Sequence, residues 1–230
     1  MKKLKGVLFD FNGTLYFDNR MDIKALNQVF SEFGAPQRDA AYIVANIFGR
    51  DNRTVFCENI KVDASGEEIA EFSARKDQVY RHICRTEQGA SELVVGAVEL
   101  LDELKAREIP YCLATGSSRE NIEFFMKHLG LSRWFDFDKN VVCADKSFPS
   151  KPAPDIYQIA ARKIGLIPEE CLVFEDGSSG IISANRANSG AVVLVHEAGY
   201  PSPLNEETRI DGEFFDFSSW KAILSEYSIL

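Results

Sequence analysis

The chain has 230 residues, 45% hydrophobic and 27% charged, which suits one sizeable core or a core domain with a smaller insert. Its formal net charge of −9, with no long basic run, argues against nucleic acid and anionic membranes as partners, because an acidic surface repels both. No segment approaches the apolar length of a membrane span.

The chain starts basic, Met1-Lys2-Lys3-Leu4-Lys5, but the apolar run behind it is too short for a signal peptide. That run, Val7-Leu8-Phe9, predicts a buried strand that delivers Asp10 to its C-terminal edge, ahead of a Gly13-Thr14 turn. From 18 to 88 the pattern is helical only. Ile23, Leu26, Phe30 and Phe33 share a face until Gly34-Ala35-Pro36, then Ile43, Val44 and Ile47 continue it. Glu67 to Arg85 carries Ile69, Phe72, Val79, Tyr80 and Ile83 on one side. From 89 onward helices and strands alternate. A helix over 94–107 (Val95, Val98, Leu101, Leu104) precedes a strand from Ile109 to Ala114. A helix over 119–129 (Ile122, Phe125, Met126, Leu129) precedes the strand Val141-Val142-Cys143. A helix from Asp155 to Ile164, entered through Pro152 and Pro154, precedes the strand Leu172-Val173-Phe174. A helix from Ile181 to Ala187 and a strand from Ala191 to Val195 follow.

This alternation predicts an α/β fold: a doubly wound, mostly parallel, Rossmann-like sheet built from 1–17 and 89–230. The all-helical stretch 18–88 reads as an inserted cap domain, a candidate lid over the strand ends. The tail after Gly199-Tyr200-Pro201 reads as loop, with 214–230 expected to cover the sheet edge. The five cysteines (Cys57, Cys84, Cys112, Cys143, Cys171) are odd in number and form no CxxC pair, which fits a reducing cytoplasm better than a disulfide framework or a thiolate zinc site. Cys112 and Cys143 lie in apolar runs and are expected in the core.

Four segments place polar chemistry at strand ends or in a stiff loop, where open α/β sheets bind ligands. Asp10 suits a nucleophile, a metal ligand or a turn residue. Ala114-Thr115-Gly116-Ser117-Ser118 precedes a helix and offers an anion site or an ordinary N-cap. Ser150-Lys151-Pro152-Ala153-Pro154-Asp155 holds Lys151 between prolines. A fixed ammonium there neutralises a carboxylate and a phosphate, while a plain surface lysine is the simpler reading. Phe174-Glu175-Asp176-Gly177 closes an apolar strand on two acids, which suit a hard cation such as Mg²⁺ or a helix cap.

Together, Asp10-Phe11-Asn12-Gly13-Thr14-Leu15, the Thr115 segment, Ser-Lys-Pro-Ala-Pro-Asp-Ile-Tyr at 150–157 and Glu-Asp-Gly-Ser-Ser-Gly-Ile at 175–181 resemble the four motifs of the haloacid dehalogenase superfamily of phosphohydrolases. The likeness is nearest to the branch of β-phosphoglucomutase and small sugar-phosphate phosphatases, whose helical cap also follows the first motif. The resemblance implies a cytoplasmic phosphatase or phosphomutase, monomeric or weakly dimeric, acting on a small phosphorylated metabolite such as a sugar phosphate. It implies Asp10 as the nucleophile that becomes an aspartyl phosphate. Thr115, with Gly116 and Ser117 beside it, would bind the transferring phosphoryl group, and Lys151 would bridge that group and Asp10. Mg²⁺ would rest on Asp10, Asp176 and the backbone carbonyl of Asn12, with Glu175 directly or through water. Gly49-Arg50-Asp51-Asn52-Arg53 resembles the cap loop that selects substrate, so Arg50 or Arg53 would hold a remote phosphate or sugar hydroxyl; a solvated basic turn is the alternative.

Phosphatases of this family have a second Asp where this chain has Asn12. A carboxamide transfers no proton, so acid–base catalysis worth roughly 10²–10⁴-fold is weakened. The other reading is therefore a catalytically impaired phosphometabolite-binding or regulatory protein. Two minor readings fit less well. Dehalogenases work without the metal that Glu175-Asp176 suits. Phosphonate hydrolases need a cap lysine, and this loop carries arginines, with Lys61 the nearest lysine.

Overall fold

The computed structural model describes residues 4–145 and 147–229. Met1, Lys2 and Lys3, part of the basic start, lie outside the described residues. The chain divides into two compact units, one built from the stretches up to 17 and from 92 onward, the other from 18–91.

The 18–91 unit is all helical: α1 (Asn19–Glu32), α2 (Ala40–Asn46), α3 (Asn52–Asn59) and α4 (Gly66–Thr86). Each start after α1 carries a side-chain cap, the residue type that satisfies the open N–H groups of a first turn. Asp39 accepts from the Tyr42 N–H at 2.7 Å and Asp51 from that of Thr54 at 3.0 Å. Ser65 and Glu68 form a reciprocal capping box on α4. The buried face of α1 (Met21, Ala25, Leu26, Val29, Phe30) packs on α4. The Phe72 ring stands 5.3 to 6.4 Å from those of Phe30, Phe33 and Phe56. The stripe on α4 runs Phe72, Val79, Tyr80, Cys84, so Ile69 and Ile83, expected on it, are only half-buried and Cys84 takes the inner place.

In the other unit, β1 (Gly6–Phe9), β2 (Tyr111–Ser118), β3 (Val141–Ala144), β4 (Cys171–Glu175), β5 (Ala191–Val195) and β6 (Gly212–Phe214) form one parallel sheet in the order β3-β2-β1-β4-β5-β6. Its helices are α5 (Ala97–Ala106), α6 (Arg119–His128), α7 (Asp155–Lys163), α8 (Ser178–Arg186) and α9 (Trp220–Glu226). Central strands such as Val7-Leu8-Phe9 and Leu172-Val173-Phe174 are apolar at every position because both faces are covered. One cover is the cluster of Leu8, Cys112, Ala114, Ile156, Tyr157, Val173 and Ile181, which joins α7 and α8 to the sheet. Strand order reverses between β1 and β4. The crevice at the C-terminal ends of those two strands is where this architecture binds ligands.

Four details depart from the sequence reading. Val95 is 67% exposed, because α5 starts only after Gly96, whose φ of 81° and whose Cβ position, 2.2 Å from the Phe217 carbonyl oxygen, admit no larger residue. β2 runs on to Ser118, with a register shift against β3 between Thr115 and Ser118. The tail adds β6 as the edge strand, α9 packs on α5, and Tyr227 just beyond α9 lies against Gly212 of β6. Cys143 is half-buried at the end of β3, while Cys112 is fully buried; all five cysteines are free thiols. No helix among the described residues is long and apolar enough to cross a membrane.

Candidate active site

Asp10 directly follows β1 and is tied into the sheet, its N–H donating to the Phe174 carbonyl at 3.0 Å. The chain then turns sharply. The Gly13 N–H donates to the Tyr16 carbonyl at 2.8 Å, and the Leu15 N–H donates to that of Phe11 at 2.9 Å. Gly13 has φ 77°, and a Cβ there would stand 2.0 Å from Asp176 Oδ2. Only glycine meets both demands, so the turn and the acid at the end of β4 are fitted to each other.

At the end of β2, Thr115 is buried and its Oγ1 accepts from the Ser117 N–H at 3.1 Å. The Ser117 hydroxyl donates to Asn12 Oδ1 at 2.7 Å, joining the first two strand ends. Gly116 is exposed beside them, and Ser118 caps α6 by accepting from the Asn121 N–H at 3.3 Å. A bulge that re-aims side chains at a strand end is a frequent feature of functional sites.

Lys151 reaches in from the loop before α7. Its Nζ donates to Asp10 Oδ1 and Glu175 Oε1, both at 2.6 Å, and to the Ala114 carbonyl at 3.2 Å. The Lys151 side chain is 11% exposed, so the expectation of a plain surface lysine fails. Glu175 Oε2 accepts from the Asp176 and Gly177 N–H groups at 3.0 and 3.1 Å, and Oε1 also accepts from the Tyr157 hydroxyl at 2.6 Å. A Cβ on Gly180 would stand 1.7 Å from Glu175 Oε1, so α8 passes close beneath this carboxylate.

Electrostatics follow from burial. Burial pushes the Asp10 carboxyl up to about 7; the Glu175 charge acts the same way and Lys151 opposes both. Burial alone would favour the neutral amine of Lys151, but Asp10 and Glu175 hold it above the ordinary lysine range, so it stays an ammonium. Burial, then the Glu175 charge, keep the Tyr157 hydroxyl protonated and able to donate.

Asp10, Glu175 and Asp176 each offer an oxygen within 4.8 Å of the others. The Lys151 ammonium pairs with Asp10 and Glu175. Clustered carboxylate oxygens of this kind fit a hard divalent cation.

The structure thus brings together Asp10, Asn12, Thr115, Ser117, Lys151, Glu175 and Asp176. Arg50 and Arg53 belong to the helical unit, where both are exposed; Arg50 pairs with Glu58 and Arg53 lies in the first turn of α3. Sequence reasoning missed Tyr157, Gly13, Gly180 and the Ala114 carbonyl. Gly13 and Gly180 sit inside the quoted motifs, but neither adjoins an acid in the sequence, and their close approach to Asp176 and Glu175 is a tertiary contact. Tyr157 closes the quoted 150–157 segment, where nothing in the sequence assigns it a role of its own.

Comparison with known proteins finds relatives over nearly the whole chain. The family model of haloacid dehalogenase-like hydrolases matches residues 4–188. The protein CbbY of Rhodobacter capsulatus is 30% identical over 223 residues, covering 95% of this chain and 92% of the relative. Fructose-1-phosphate phosphatase YqaB of Escherichia coli is 28% identical over 196 residues, 83% of this chain and 96% of the relative. A solved haloacid dehalogenase (HAD) hydrolase of family IA, variant 3, from Entamoeba histolytica superposes with a TM-score of 0.83 at 28% identity, covering 98% of both chains.

Proposed function

The chain belongs to the haloacid dehalogenase-like hydrolase family, and from that premise we propose that it is a Mg²⁺-dependent phosphatase of small phosphorylated metabolites, sugar phosphates above all, that works through an aspartyl phosphate on Asp10. The observation that carries this reading is the buried contact of Lys151 with both Asp10 and Glu175, at 2.6 Å each, beside Asp176. A carboxylate and an ammonium held together at the crevice between β1 and β4 supply a nucleophile and a fixed positive charge for the phosphoryl group it attacks. The fructose-1-phosphate activity of YqaB supports the substrate class.

Asp10 and Asp176 would hold the cation with the Asn12 carbonyl, while Glu175, whose oxygens already accept from Lys151, Tyr157 and two backbone N–H groups, adds negative charge beside it without a direct bond. When bound, the cation supplies charge neutralisation for the phosphate oxygens. Asp10 attacks phosphorus, the ester P–O bond breaks, and the leaving oxygen takes its proton from solvent, since Asn12 offers only a hydrogen bond. Water then attacks phosphorus and loses its proton to solvent, the bond between the Asp10 oxygen and phosphorus breaks, and phosphate leaves with the carboxylate restored. Lys151 faces the charge in both steps, and Thr115 with Gly116 and Ser117 lines the phosphoryl position.

The direct test is calorimetric titration with MgCl₂. Asp176→Ala is expected to weaken Mg²⁺ by more than about tenfold; unchanged affinity overturns the metal assignment. Proton linkage gives a second expectation. The Asp10 carboxyl, with a folded value of about 7 against an ordinary value of 3.8, favours folding below the lower value, and that contribution is lost as pH rises through about 7. A cation needs the ionised form. Added MgCl₂ should therefore raise the melting temperature clearly at about pH 8 and little at about pH 5.5. An equal rise at both would contradict the role of Asp10 as ligand.

Asn12 favours one second reading, a phosphometabolite-binding protein that turns over little. It is distinguished by tight binding of sugar phosphates without release of phosphate.

A further inference from the structure

Tyr157 is buried on α7, and no step above uses it. It meets the site in two ways. Its hydroxyl donates to Glu175 Oε1 at 2.6 Å, and its ring lies 5.1 Å from the Lys151 ammonium, within cation–π range. Glu175 is thereby saturated. Oε1 accepts from Tyr157 and Lys151, and Oε2 accepts from two backbone N–H groups, which uses the roughly four acceptor positions of a carboxylate. Gly180 packs against the same group and leaves it nowhere to turn. Lys151 is saturated as well, with acceptors at Asp10, Glu175 and Ala114 for its three N–H bonds. A lysine head on its flexible stem is otherwise a mobile point charge.

We infer that Tyr157 is a positioning residue for phosphoryl transfer, whose hydroxyl and ring hold Glu175 and Lys151 so that the ammonium bears on Asp10 and on the group Asp10 attacks. The inference rests on the proposed role of Asp10. A packing role alone would need only the ring, whereas here the hydroxyl holds the carboxylate that holds the lysine.

The test is Tyr157→Phe, which keeps the ring and removes the hydroxyl. It is assayed in the full chain with MgCl₂ and 2,4-dinitrophenyl phosphate, whose leaving group needs no proton, at a temperature where circular dichroism shows each variant folded. The expected result is a kcat lower by about tenfold with KM within about twofold, in the range for residues that orient a site from behind. In a Lys151→Ala background the same substitution should cost less than about twofold, because it acts through Lys151. A parental kcat, or a full tenfold loss in both backgrounds, overturns the inference. Asp10→Ala is run alongside: retained turnover there would defeat the phosphatase reading itself, whereas a dead Asp10 variant beside an unaffected Tyr157→Phe would defeat only the positioning role.

Discussion

Replacing Asp10 by alanine is expected to abolish phosphate-ester hydrolysis and to weaken Mg²⁺ binding at the same time. The carboxylate stands 2.6 Å from the Lys151 ammonium and within 4.8 Å of oxygens from Glu175 and Asp176, so one substitution removes nucleophile, metal ligand and counter-ion together. Breaking a buried pair also costs stability, because a charge loses its partner. Here Lys151 keeps Glu175, also at 2.6 Å, so the fold is expected to survive. Asp10→Asn separates the two effects: it leaves an oxygen for Lys151 but a poor nucleophile, so the melting temperature should hold while turnover falls by more than about 10³-fold, the scale of losing a central catalytic group. Substantial turnover by Asp10→Asn, with the introduced amide shown intact by peptide mass, would contradict the covalent route.

Asn12→Asp is expected to act in the opposite direction, and selectively. With its Oδ1 accepting from the Ser117 hydroxyl at 2.7 Å, the amide can give a leaving oxygen only a hydrogen bond from nitrogen. An alkyl ester such as fructose 1-phosphate has a poor leaving group and needs a proton; 2,4-dinitrophenyl phosphate does not. A carboxylic acid at position 12 should therefore raise sugar-phosphate hydrolysis by about 10²–10⁴-fold while changing the aryl ester by less than about fivefold. Paired rates on the two esters decide it. An equal change on both, or no gain on either, would mean that residue 12 is not placed for proton transfer.

Much of the site could be read from the chain because local pattern carries it. The apolar runs before Asp10 and Glu175 are fully buried strands, and a central strand of a parallel sheet can hardly be anything but apolar. What escaped is decided by tertiary contact. β6 is three residues long, Gly-Glu-Phe, too short to show any alternation, and exists because β5 offers it an edge. Val95 continues the apolar spacing of α5, yet the φ of Gly96 starts the helix one residue after that glycine. Lys151 and Glu175 lie 24 residues apart, and nothing in either segment announces that they meet. Tyr157 has the spacing of a core residue and is one; its hydroxyl becomes informative only when Glu175 is seen above it.

The central claim is that Asp10 itself carries the phosphoryl group. The most direct measurement is chemical trapping during turnover: the protein is mixed with 2,4-dinitrophenyl phosphate and MgCl₂, quenched, and treated with borohydride, which reduces an acyl phosphate to an alcohol. The expected result is homoserine at position 10 in the peptide spanning Gly6 to Leu15, absent when substrate is omitted. Turnover with position 10 unmodified, or with the label on another side chain, would contradict it.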